Sequence, residues 1–160
     1  MPTKAHAQSI IKNLSASGET VSVAESLTGG GLGHALTQIP GASQVFIGGI
    51  IAYTEDVKVN LLGVPRTLID QFTVVSEEVA VAMANGALEK FGTTWAISTT
   101  GIAGPGDYLG IREGTVWIAI AGPINQTLQL TLDSGRDGVR QGAISSAIGN
   151  FARILSYRTN

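Results

Sequence analysis

The segment Ala24-Glu25-Ser26-Leu27-Thr28-Gly29-Gly30-Gly31 limits the possible folds of this chain more than any other. It follows an alternating run, Thr20-Val21-Ser22-Val23, and precedes an apolar-periodic stretch through Leu32, Ala35, Leu36 and Ile39. A period of two that gives way to a helical period across glycines spells strand, tight loop, helix. Glycine lets the backbone turn sharply and lets its N–H groups face a ligand. The helix start adds unpaired donors and a partial positive charge. Two readings stand at this point. Ser26 sits at the lip of an anion or oxyanion site, or Ser26 and Thr28 merely cap the helix. The segment lacks the Gly-Lys-Ser/Thr of a Walker loop and the GxGxxG spacing of a dinucleotide fingerprint.

Elements of alternating type surround this unit. An amphipathic helix over 4–16 carries Ala7, Ile10, Ile11 and Leu14 on one face and ends at Gly18. A strand over 20–24 leads into the Ser26 loop, and the helix after it stops at Pro40. Gly41-Ala42-Ser43 is a turn. The run from Val45 to Tyr53 is apolar throughout and reads as a central strand buried on both faces. Thr54-Glu55-Asp56 starts a short helix with Val57, Lys58, Leu61 and Leu62, and a small helix begins at Pro65. Ser76-Glu77-Glu78 opens a long helix that closes at Gly92. A strand over 93–100 runs into a Gly/Pro-rich loop over 101–114. Strands over 115–121 and 127–132 make a hairpin, and a helix over 136–157 closes the chain. The expected architecture is one α/β domain over 1–160: a three-layer α/β/α arrangement with a mixed sheet.

Composition narrows the chemistry. The chain has 160 residues, 44% of them hydrophobic, which suits one substantial core. Ten basic and twelve acidic residues give a net charge of -2 without a Lys/Arg cluster, which argues against a nucleic-acid partner. Cysteine is absent, so thiolate ligands and a Cys nucleophile are excluded. His6 and His34 have no second histidine at ligand spacing, so no metal site is expected, and His34 reads as structural. No apolar run is long enough to span a bilayer and the N-terminus lacks a signal-peptide core, so the expectation is a cytoplasmic protein with no membrane partner.

Three features break local rules. Lys58 neighbours the core-facing Leu61 and Leu62 on its helix, either as a surface lysine or in a partly dry place. A dry place lowers a lysine pKa and makes a usable base. Arg136 and Arg140 put positive charge in the first turns of the last helix, against its dipole. Either Asp133 and Asp137 offset them, or a bound anion does. Thr99-Thr100-Gly101-Ile102-Ala103-Gly104-Pro105-Gly106 is a second strand end running into glycines. Two such loops could flank one crevice, and Ser26, Lys58 and Tyr53 then form the kit of a Ser-Lys hydrolase: nucleophile, base and hydroxyl relay.

These stretches, together with Pro40-Gly41-Ala42-Ser43, Leu61-Leu62-Gly63-Val64, Val75-Ser76-Glu77-Glu78-Val79-Ala80 and Gly114-Thr115-Val116-Trp117-Ile118-Ala119-Ile120, resemble the CinA C-terminal domain, the nicotinamide-nucleotide amidohydrolase (PncC) family. The resemblance covers nearly the whole chain. Longer CinA proteins carry a further N-terminal domain, so the resemblance is to the stand-alone form. It implies hydrolysis of the carboxamide of nicotinamide mononucleotide to nicotinate mononucleotide and ammonia. Ser26 would be the nucleophile, Lys58 its base, and Tyr53 would assist proton transfer or hold Lys58. N–H groups near Gly29 and Gly30 would hold the oxyanion. Ser43, Thr100 and Gly101 would line the substrate site, and Arg140 would hold the 5′-phosphate. The resemblance implies no cofactor and a homo-oligomer, commonly a dimer. Two stretches depart from the family pattern: Thr54-Glu55 after Tyr53, where Glu55 would raise the Lys58 pKa, and 107–113. They leave open a non-catalytic nucleotide-sensing or interaction module, and an amidohydrolase of another small amide.

Overall fold

The computed structural model describes residues 2–158. Helix α1 (Pro2–Ser17) precedes strand β1 (Val21–Glu25), the short α2 (Gly31–Thr37) and a 3₁₀ turn (Ala42–Gln44). Strand β2 (Phe46–Ile51) is followed by α3 (Glu55–Leu62), α4 (Arg66–Phe72) and α5 (Glu77–Phe91). Strands β3 (Trp95–Gly101), β4 (Thr115–Ala121) and β5 (Gln126–Thr131) lead to α6 (Gly135–Arg158). One mixed sheet runs β2-β1-β3-β4-β5. β1 is parallel to both β2 and β3, and β3–β4–β5 is antiparallel.

Helices α1, α2 and α6 cover one face. Their apolar stripes, including Ile10, Leu14, Leu32, Leu36, Ile148 and Phe151, meet Val21, Val23, Trp95 and Ile97 from the sheet. Trp95 and Phe151 pack edge to face with centroids 5.3 Å apart, a favoured geometry for a buried aromatic pair. Helices α3, α4 and α5 cover the other face. Here the small residues of α5 act as the sequence suggests. Ala80 and Ala84 lie against Ala119 and Ala121, and Ala87 packs with Ala24 and Ala96. At Gly86 the approach is so close that a β-carbon would collide with the Leu62 carbonyl. The caps follow the sequence. Thr54 Oγ1 accepts from Val57 N–H (3.3 Å) and Ser76 Oγ from Val79 N–H (3.2 Å), while Gly63 and Gly92 close α3 and α5 in the left-handed region.

One expectation is overturned. The run 45–53 is an edge strand, not a central one, and Ile47 and Ile51 are 50% and 54% exposed. Helix α2 has only seven residues and shields little of β2 on its side of the sheet. An apolar run with two glycines and no polar alternation reads the same at an edge as at the centre.

Glu25 holds the first helix–sheet corner together. It ends β1, is 2% exposed, and its two carboxylate oxygens accept from the N–H groups of Leu32 (2.8 Å) and Gly33 (3.0 Å). The start of α2 is therefore capped from inside the sheet, and those donors are not free for a ligand. Glu25→Ala would strand two part-buried amides and is expected to cost ~3 kcal/mol of stability, read as a lower urea midpoint at unchanged m-value.

Candidate active site

The site forms where the parallel strands end. Glu25 pairs with Thr99 and with Ile51, so β1, β2 and β3 finish side by side. The ladder continues one residue further. Ser26 N–H donates to Thr99 O (2.9 Å), and Ala52 N–H donates to Glu25 O (2.7 Å). The hydroxyls of Thr28 and Thr99, 2.7 Å apart, bind the glycine loop to β3. These contacts place Ser26 at the carboxyl edge of the sheet, where open α/β sheets form their crevices. It remains 8% exposed.

Lys58 lies one turn into α3, and its side chain runs back over the helix start, as helical side chains do. It is 1% exposed. Its Nζ lies 3.0 Å from Ser26 Oγ and donates to Ala52 O at 2.8 Å. Burial pushes the Lys58 ammonium down to about 8, and the Glu55 carboxylate acts in the opposite direction. The departure at Glu55 thus has the sign expected from sequence, but desolvation outweighs it. A group with a pKa near 8 is neutral in roughly one molecule in ten at pH 7 and mostly neutral at pH 9. Activity that needs neutral Lys58 should therefore rise with pH through about 8 and level off above it. Glu55→Gln removes the opposing carboxylate, so the rise should move to lower pH and the pH 7 rate should increase about twofold. A kcat/KM profile from pH 6 to 9.5 checks both.

The pocket in front of this pair has a volume of about 450 Å³. Ser26, Lys58, Tyr53, Thr100, Gly101 and Arg136 face it, together with Thr54, Glu55, Val74, Val75 and the 102–108 stretch. That stretch is bound to itself. Glu113 accepts from Gly106 N–H (2.6 Å), Asp107 accepts from Glu113 N–H (2.9 Å), and the Gly104–Pro105 peptide is cis. Asp107 and Tyr108 from the divergent loop lie on the pocket wall. Thr100 lines the pocket, but its hydroxyl donates to Val74 O (2.6 Å).

Four expectations from the sequence need correction, each for a geometric reason. Arg140 does not face the pocket. Its guanidinium donates to the carbonyls of Leu27 (3.0 Å) and Thr28 (3.3 Å) and packs against Gly29, so it clamps the loop from behind. Arg136, one helical turn earlier, faces the pocket and donates to Gly104 O (2.6 Å) and Tyr53 Oη (3.2 Å). Tyr53 is 57% exposed, and its hydroxyl meets Arg136 rather than Lys58, which is held by the Ala52 carbonyl. The Gly29 amide is spent on Ser26 O (3.1 Å), so it is not free to hold an oxyanion. The Gly30 amide, like those of Leu27 and Thr28, meets no acceptor among the described residues, and of these residues only Leu27 lines the pocket. Ser43 lies in the 3₁₀ turn that precedes β2, at the opposite end of a strand parallel to β1. Within one chain it cannot reach the pocket.

Sequence reasoning missed the Ala52 carbonyl and the capping role of Glu25. A carboxylate inside an otherwise apolar strand was the available signal for the second. Among the described residues, no three His, Cys, Asp or Glu side chains group as a metal site would require. No helix among them is long and apolar enough to cross a membrane.

Comparison with known proteins agrees with this architecture. The sequence model described as the CinA C-terminal domain matches residues 3–155. A CinA-like protein of Gloeothece citriformis is 56% identical over 142 residues, which span 86% of this chain and 34% of that protein. A CinA-like protein of Prochlorococcus marinus is 49% identical over 154 residues, 94% of this chain and 36% of that protein. The chain thus spans about a third of the length of the curated relatives it matches. Among solved structures, the competence/damage inducible protein CihA from Agrobacterium tumefaciens superposes with a TM-score of 0.90 at 34% identity, covering 98% of this chain and 96% of that one. A CinA superfamily protein from Klebsiella pneumoniae superposes with a TM-score of 0.93 at 27% identity, covering 97% and 98%.

Proposed function

Since the chain belongs to the CinA C-terminal domain family, we propose that it hydrolyses the carboxamide of nicotinamide mononucleotide through Ser26 and Lys58. The observation that carries this reading is the 3.0 Å contact between the Ser26 hydroxyl and the amine of a lysine that is 1% exposed. Neutral Lys58 Nζ takes the Ser26 proton as Oγ attacks the carboxamide carbon. The tetrahedral oxyanion is met by N–H groups of the 27–30 loop, where those of Leu27, Thr28 and Gly30 have no acceptor among the described residues. The Lys58 ammonium returns the proton to the departing amide nitrogen, and ammonia leaves behind a nicotinoyl ester on Ser26. Water then attacks the ester carbon, with Lys58 accepting its proton and passing one back to Ser26 Oγ. The products are nicotinate mononucleotide and ammonia, with one water consumed. No step calls on a cofactor.

Arg136, rather than Arg140, is suited to the 5′-phosphate, because its guanidinium stands on the pocket wall. Arg136→Ala should raise KM for nicotinamide mononucleotide ~10- to 100-fold and leave kcat within about threefold, the signature of lost substrate binding. Ammonia assays on nicotinamide mononucleotide, nicotinamide riboside and free nicotinamide test the substrate. The wild type should prefer the phosphorylated amide, and the preference should fade in the variant. Equal turnover of all three by wild type would point to another small amide.

A further inference from the structure

The reaction proposed above gives tasks to Ser26, Lys58 and Arg136 but none to the divergent segment 107–113, although Asp107 and Tyr108 line the same pocket. The segment is built to hold its tip still. Tyr108 and Ile111 exchange backbone hydrogen bonds (3.0 and 2.9 Å) across Leu109 and Gly110, both in the left-handed region (φ 49° and 76°), the pattern of a two-residue hairpin turn. The Asp107 carboxylate on Glu113 N–H and the Glu113 carboxylate on Gly106 N–H close its base. Tyr108 is thus fixed at the pocket by its backbone, yet it stays 47% exposed. A ring presented this way loses little freedom when a flat ligand covers it. A second aromatic lining the pocket, Tyr53, has its hydroxyl on Arg136, beside the position assigned to the phosphate. Two carboxylates, Glu55 and Asp107, also line the pocket.

We propose that Tyr108 is a specificity-determining residue whose ring stacks on the pyridinium of the substrate, so that the site selects the cationic, oxidised ring over its neutral dihydro form. This role rests on the reading of the substrate given above. In nicotinamide mononucleotide the ring nitrogen carries the ribose, so the ring is flat, aromatic and positively charged. A tyrosine face attracts such a cation, and the Asp107 and Glu55 carboxylates add to the attraction. The dihydro ring has lost both the charge and the aromaticity, while it keeps the carboxamide, the ribose and the phosphate. Ser26 and Arg136 therefore meet the same groups in both forms. The difference falls on the wall that carries Tyr108 and the two carboxylates. Arg136 reads the phosphate, and Tyr108 reads the oxidation state of the ring.

Calorimetric Kd values for nicotinamide mononucleotide and its 1,4-dihydro form test this role. They are measured on Ser26→Ala, which binds without turnover, and on Ser26→Ala combined with Tyr108→Ala or Tyr108→Phe. The Ser26→Ala protein should prefer the oxidised nucleotide by ~10-fold or more. Tyr108→Ala should raise the Kd of the oxidised form ~5- to 30-fold, leave that of the dihydro form within about twofold, and so shrink the preference several-fold. Tyr108→Phe should keep the preference, because the ring face and not the hydroxyl meets the cation. The half-exposed site tolerates both changes, so the urea midpoint should not move. A Tyr108→Ala variant that binds the oxidised form as before, or that weakens both forms equally, overturns the proposal. Ammonia release by the protein with Ser26 intact reports on the reaction separately. The preference without release would refute the reaction and uphold the role of Tyr108, and binding of neither nucleotide would overturn both.

Discussion

Ser26→Ala should lower ammonia release from nicotinamide mononucleotide by ~10⁴-fold or more while leaving the fold intact. The size follows from the role. Without Oγ there is no acyl-enzyme, and Lys58 cannot make water a nucleophile of equal reach at the same carbon. The fold should survive because this residue keeps its backbone contacts and Lys58 Nζ, on losing Ser26 Oγ, keeps the Ala52 carbonyl. The Ser26 N–H donates to Thr99 and its carbonyl accepts from Gly29. Substrate should still bind, since Arg136 and the 102–108 wall are unchanged. Equilibrium binding of nicotinamide mononucleotide to Ser26→Ala, with Kd near the wild-type value, separates a lost chemical step from a lost site. Retained turnover would exclude Ser26 as nucleophile.

Lys58→Met should have the second largest effect, a ~10³-fold loss in kcat. Methionine keeps the volume and apolar stem of the lysine but has no proton acceptor of comparable strength and gives Ala52 O no donor. A structural lysine would behave differently on two counts. First, the residual activity of the variant should lose the rise through pH 8 that marks the wild type. Second, the stability difference carries a sign. The folded pKa of Lys58 lies below its ordinary value, so the folded form binds fewer protons than the unfolded chain between about 8 and 10.5. Wild-type stability from this group therefore increases across that window, and charged Lys58 opposes folding below it. Urea unfolding at pH 7 and pH 9.5 should show wild type gaining on Lys58→Met at the higher pH. A loss of activity that is independent of pH, with no relative gain in stability, would reduce Lys58 to a packing role.

Most of what places Ser26 is legible in the chain. An alternating run, three glycines and a helical period leave one local arrangement, and Thr54 and Ser76 announce the helix starts that their hydroxyls cap. Lys58 stood out because a charge sat beside leucines on a short helix. What stayed hidden depended on direction rather than composition. Arg136 and Arg140 are four residues apart on one helix, so they share a face and spacing alone does not choose between them. The choice rests on where Leu27 and Thr28 turn their carbonyls. The apolar run of β2 could not reveal which side lacked a neighbour. Ser43 sits two residues ahead of Val45, but which end of the sheet it occupies depends on β2 running parallel to β1, a fact of topology. Glu25 looked like part of a loop motif, yet its carboxylate turns inward to bond the first amides of α2.

The role of Ser26 and Lys58 as a catalytic pair is tested most directly by ammonia release from nicotinamide mononucleotide at pH 8.5, measured side by side for the wild-type protein and Ser26→Ala. The wild type should give sustained release, one ammonia per nicotinate mononucleotide formed, and the variant none above background. Release by neither protein, or at equal rates by both, would contradict that role.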